Sequence, residues 1–167
     1  FPTRRSSDLF LAGSSGLELF NNLGLTEAEE RKCRLICYGP VARRLPRFAE
    51  IKPEHVAPAI EQLLAENRAL IARLLSDSSL PTWQNFIVPM EDANERLSRA
   101  WGPVGHLNAV MNSPELREVY NATLPKITQY YAELGQNLAL FDKFKALRNS
   151  PEFAGLSAAR KKIIENE

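Results

Sequence analysis

Leu45 to Leu75 reads LPRFAEIKPEHVAPAIEQLLAENRALIARLL, and this stretch decides the fold. Pro46 removes a backbone donor and pushes the residue before it into extended geometry, so the segment opens as an approach strand of chain rather than a helix. Pro53 and Glu54 then supply helix-start chemistry: a missing N–H costs nothing in the first turn, and a carboxylate meets the positive helix end. Pro58 follows five residues later, which predicts a short turn at 53–56 and a longer helix launched near Pro58. Val56, Ile60, Leu63, Leu64, Leu70, Ile71, Leu74 and Leu75 recur at helical spacing, with Asn67 as the one polar residue in their stripe. A stripe this long requires a partner surface, and the chain downstream supplies several of the same period.

Ser76–Ser79 is a turn cluster and ends the first helix. Thr82 is a good N-cap, and Pro89 predicts a short turn at 83–87 before a second helix with Met90, Ala93, Leu97, Ala100, Trp101 and Val104 on its apolar face. Gly102-Pro103 should kink or end it, although His106 to Met111 carries the rhythm further. Ser113-Pro114-Glu115 is the clearest helix start in the chain. Its stripe reads Leu116, Val119, Tyr120, Leu124, Ile127, Tyr131, Leu134 and Leu138, with Pro125 expected to bend it. Leu140, Phe141, Phe144 and Leu147 continue the pattern. Ser150-Pro151-Glu152 starts a short turn, and Ser157 caps a last helix, AARKKIIENE, which lacks a C-cap and is expected to belong to a longer natural chain. No segment alternates with period two, so the expectation is an all-α fold: long, proline-bent antiparallel helices forming one helical lobe, truncated at the C-terminus.

Composition narrows the function. An apolar fraction of 44% and a charged fraction of 25% are those of a globular domain. The net charge is +1; residues 1–44 hold seven Lys/Arg and five Asp/Glu, which leaves fourteen and fifteen from Leu45 onward. A faintly acidic helical part argues against nucleic acid as a partner, and no apolar run approaches the roughly 20 residues that span a bilayer. Cys33 and Cys37 lack further soft ligands nearby and are poorly spaced for a disulfide along a helix, so both read as incidental thiols of a reducing compartment.

Residues 1–44 stand apart. FPTRRSSDL (1–9) is similar to the conceptual translation of a sequencing adapter, and AGSSG (12–16) interrupts what would be the apolar core of a twin-arginine signal. The stretch TEAEERKCRLICY (26–38) has a brief helical pattern with Thr26 as cap. The expectation is a non-native leader of low order over 1–44, followed by one domain over 45–167.

No motif in the chain marks an active site. His55 and His106 lack the four-residue spacing and neighbouring Glu of an HExxH zinc helix. No GxSxG nucleophile or phosphate-cradling loop occurs, since Gly102 and Gly105 flank Pro103 without a following Lys-Ser/Thr. Glu91, Asp92 and Glu95 read as a solvated face, with Asp92 and Arg96 as i,i+4 partners. Arg160-Lys161-Lys162 reads as exposed surface; Trp83, Trp101, Tyr120, Tyr130 and Tyr131 read as core packing. Catalytic and metal residues are therefore expected to be none, and substrate-binding residues are unassigned.

Three segments carry a family resemblance: LPRFAEIKPEHVAPAI (45–60), TWQNFIVPME (82–91) and GPVGHLNAVMNSPELREVYNATLPKI (102–127). Together they resemble the N-terminal helical region of the thimet oligopeptidase family of zinc metallopeptidases, over Leu45 to Glu167. The resemblance implies an almost wholly helical protein with a channel that admits short peptides, a cytoplasmic location, and zinc held by an HExxH motif in a C-terminal part that is absent here. It implies that these helices form one wall of the channel and that the piece is inactive alone. The competing expectation is a free-standing helical module that binds partner proteins through its apolar stripes. A cofactor-binding bundle would need a ligand pair such as ExxH, and none is present.

Overall fold

The computed structural model describes residues 48–166. The expected leader at 1–44, with Thr26, Cys33 and Cys37, lies outside the described residues. A single 3₁₀ turn at Phe48–Glu50 leads into six helices: α1 (Pro53–Ser76), α2 (Val88–Val110), α3 (Pro114–Gly135), α4 (Leu138–Arg148), α5 (Pro151–Gly155) and α6 (Ala158–Asn166). A π-helical turn at Trp83–Ile87 feeds directly into α2. Among the described residues there is no strand, and no helix is long and apolar enough to cross a membrane.

The helix starts follow the residues that favour them. His55 Nδ1 accepts the Lys52 backbone N–H at 3.2 Å and closes the first turn of α1. Thr82 and Ser113 accept the N–H groups of Asn85 and Leu116, each with its side-chain oxygen, at 3.0 and 3.1 Å. Asn137 does the same for Leu140 at 3.0 Å. Each bond satisfies a donor that the helix itself leaves open.

Pro58 corrects one expectation: it does not separate a turn from a helix, because α1 is continuous from Pro53. Gly102-Pro103 does not end α2, and α3 runs through Pro125 as expected. All three prolines lie at exposed or half-exposed positions. The carbonyls that the three rings cannot bond belong to Glu54, Arg99 and Asn121, all exposed residues, so no buried acceptor is stranded.

Helices α1, α2 and α3 form an up-down-up bundle. Tyr130 pairs with Asn94 and Tyr120 with Trp101, so α2 runs against α3. Glu61 pairs with Lys126 and Arg68 with Glu133, so α1 and α3 run parallel. Val56, Ile60, Leu63, Leu64, Leu97, Ala100, Val104, Leu116, Ile127 and Tyr130 pack between them. A second cluster fills the far end of the bundle. There Ile71, Leu74, Phe86, Ile87 and Met90 receive Leu140, Phe144 and Leu147 of α4 and Ile164 of α6.

On α3 the buried face differs from the expected stripe. Leu116, Thr123, Ile127 and Tyr130 are buried, whereas Leu124, Tyr131 and Leu138 are 38%, 43% and 79% exposed. Thr123 is tolerated inside because its hydroxyl donates to the Val119 carbonyl at 2.7 Å, leaving only its methyl to pack. Phe141, Val110 and Met111 are likewise exposed rather than packed.

Candidate functional site

The seam between the two parallel helices carries the most organised polar chemistry in the fold. Lys126 pairs with Glu61. Two turns on, Arg68 grips Glu133 with both arms of its guanidinium, Nε at 2.8 Å and an Nη at 3.3 Å. The steps from Glu61 to Arg68 and from Lys126 to Glu133 are both seven residues. A seven-residue step returns to nearly the same face of a helix, so the two rungs stack along one seam. Between them lies a trough of about 360 Å³ floored by Leu64 and Ala65, with Gln129 at its side. Gln129 adds a third donor to Glu133, at 2.8 Å. The Arg68 bond holds the Glu133 carboxyl below its ordinary range.

This trough is a charge-matched rung system rather than a reaction centre. Two carboxylates and two cations cancel, each acid is already bonded to a base, and an ion-paired glutamate is a poor proton carrier. The rungs fix the register of α3 against α1, which is a positioning role.

A second polar cluster sits under the seam. The Asn67 side chain is fully buried, and its amide donates to the Ala93 carbonyl at 3.2 Å. Its Oδ1 has no hydrogen-bond partner among the described residues. The Tyr130 hydroxyl donates to Asn94 at 2.9 Å, and burial raises its pKa.

The residues singled out in the sequence fall in separate places. His55 is buried at the start of α1, while His106 is exposed on α2 with its ring 5.2 Å from that of Phe48. Glu91 and Glu95 are exposed and Asp92 half-exposed, as expected for a solvated face. Arg96, however, reaches across to Glu66 on α1 at 3.5 Å rather than being taken by Asp92. Asp92 is left partly desolvated, which raises its pKa; Arg96 only partly offsets this. The basic run is more engaged than expected. Arg160 stacks over the Trp83 ring at 4.9 Å, and Lys161 donates to the Ala154 carbonyl at 2.8 Å. Glu152 accepts the Trp83 backbone N–H at 3.2 Å, so its start signal also secures the entry to the π-helical turn. Among the described residues no three His, Cys, Asp or Glu side chains gather where they would hold a metal.

The comparisons supply what the geometry does not. Residues 60–167 match the family model for the N-terminal domain of neurolysin/thimet oligopeptidase. Oligopeptidase A of Haemophilus influenzae is 49% identical over 122 residues, which is 73% of this chain and 18% of that protein. Oligopeptidase A of Escherichia coli is 39% identical over the same length, again 73% of this chain and 18% of the relative. The organellar oligopeptidase A of Arabidopsis thaliana is 36% identical over 120 residues, 72% of this chain and 15% of the relative. The chain thus spans less than a fifth of the length of these relatives.

Proposed function

Because the chain belongs to the neurolysin/thimet oligopeptidase N-terminal domain family, we propose that it is the front helical part of a zinc-dependent oligopeptidase that cleaves short peptides in the cytoplasm. Residues 45–167 are that N-terminal helical domain and form one wall of the channel through which peptides reach the metal. The observation that carries this reading is the 49% identity to an oligopeptidase A along 122 residues. The bundle is compatible with it: α1, α2 and α3 share one apolar core that would hold them together as a single wall.

The described residues do not suit the zinc itself. His55 is buried and His106 exposed, and among the described residues no three His, Cys, Asp or Glu side chains gather where they would hold a metal. Zinc in such peptidases activates a water molecule for attack on the peptide carbonyl. In this reading its ligands come from polypeptide outside these residues, and this chain contributes shape. Sequencing the gene downstream of the Glu167 codon tests the proposal. An open frame that encodes an HExxH helix is the expected result; an immediate stop codon in an independent clone would overturn it in favour of a free-standing helical module.

A further inference from the structure

Beyond its second turn, α3 has two flanks that differ in their charged residues. Between Asn121 and Phe141 the charged side chains are Lys126 and Glu133, and both turn toward α1 in the rungs described above. The other flank presents Leu124, Pro125, Thr128, Tyr131 and Ala132, all exposed and all uncharged. It leads into the start of α4, where Leu138 and Phe141 are 79% and 52% exposed. A helix flank that stays in water is ordinarily polar, and exposed large apolar groups gathered on one stretch mark a contact surface. Among the described residues, four of the eight large apolar side chains that stand exposed fall within residues 124–141. Small residues lie between them (Thr128, Ala132, Gly135, Ala139), which lets a second element approach closely around the aromatic anchors Tyr131 and Phe141.

Over four-fifths of the Haemophilus influenzae relative has no counterpart in this chain, since the match covers 18% of it. We infer that the uncharged Leu124–Phe141 flank is the seat on which the following polypeptide of the longer peptidase packs. The inference rests on the reading that this is the N-terminal domain of such a peptidase. An uncharged apolar seat selects an apolar surface as its occupant, and a domain of the same polypeptide is held at high effective concentration beside it.

Grafting decides the matter. The 122 matched residues of this chain replace their counterpart in the Haemophilus influenzae protein, and hydroxyl-radical oxidation of Tyr131 and Phe141 is compared between the graft and the 167-residue chain. Exclusion of water from a packed interface should lower oxidation at both rings about fivefold in the graft. Unchanged oxidation in a graft that still cleaves peptide would overturn the inference and leave the functional reading standing. Protection that is already present in the free chain and vanishes on dilution would assign the flank to a second copy, again overturning it. Protection that appears only with bound peptide would make it channel lining, with the same consequence. Should the graft fail to fold, footprinting the aligned positions of the intact Haemophilus influenzae protein gives an independent answer: exposed side chains there overturn the inference.

Discussion

The guanidinium of Arg68 on α1 meets the carboxylate of Glu133 on α3 in a two-pronged ion pair across 65 residues of sequence. Its companion, Glu61 with Lys126, spans the same separation. Equal separations on both rungs are possible only for helices running in the same direction, so the two pairs act as a gauge of register between α1 and α3.

That gauge titrates. Glu133 is held below its ordinary pKa by Arg68. A depressed carboxylate contributes stability that is present above its unfolded-state pKa and lost as pH falls through the folded value. A double-mutant cycle on Arg68→Ala and Glu133→Gln should show favourable coupling at neutral pH and low salt, and none after acidification below the folded pKa. High salt should weaken the coupling, since both groups are solvent-exposed. Coupling that is indifferent to pH and salt would contradict the pair.

Asn67 is a buried amide with one bond made and one acceptor unmet. Asn67→Leu removes the unsatisfied carbonyl and keeps the branch at Cγ but is a larger side chain, so it should change unfolding stability by no more than about 1 kcal/mol in urea titrations. Asn67→Asp sets a carboxylate against the Ala93 carbonyl oxygen and should cost on the order of 3 kcal/mol at neutral pH. Both variants behaving alike would show that Asn67 is solvated.

Tyr130 and Tyr131 are neighbours with opposite fates, 1% and 43% exposed. Tyr130→Ala should cost about 3–5 kcal/mol, and Tyr131→Ala no more than about 1 kcal/mol. Chemical denaturation distinguishes them. The reverse order would turn α3 by roughly one residue, 100° about its axis.

Asp92 works in the opposite sense to Glu133. Desolvation raises its pKa, so its contribution favours the fold when protonated and is lost as pH rises through the folded value. Asp92→Asn should therefore raise the thermal midpoint at neutral pH, with the gain disappearing below the unfolded aspartate pKa. A gain at acid pH and none at neutral pH would refute the assignment.

Much of this architecture is legible in the residues. The caps Thr82 and Ser113, the long stripe of α1 and the absence of period-two alternation all announce an all-helical chain. The register of α3 is not legible, for a physical reason. Its buried face includes Thr123, whose hydroxyl is satisfied within its own helix, and a stripe chosen by apolarity alone passes over it in favour of Leu124. Tyr131 displaces Tyr130 in the same way. The exposed residues that such a reading places inside are the ones that make the uncharged flank. Their apolarity serves a contact, so pattern alone assigns them to the core. The ion-pair rungs escape for a different reason: the seven-residue steps are visible, but pairing them requires knowing that α1 and α3 lie side by side and parallel. The proposed wall role has no signature in the residues themselves and rests on the family resemblance.

The most direct test of the central claim is peptide hydrolysis by the graft that carries this chain's matched residues in the Haemophilus influenzae oligopeptidase A, with an internally quenched peptide as substrate. The account predicts turnover that a zinc chelator abolishes and added zinc restores, with no turnover by the 167-residue chain alone. A folded graft that cleaves nothing, or zinc-dependent cleavage by the chain alone, would contradict it.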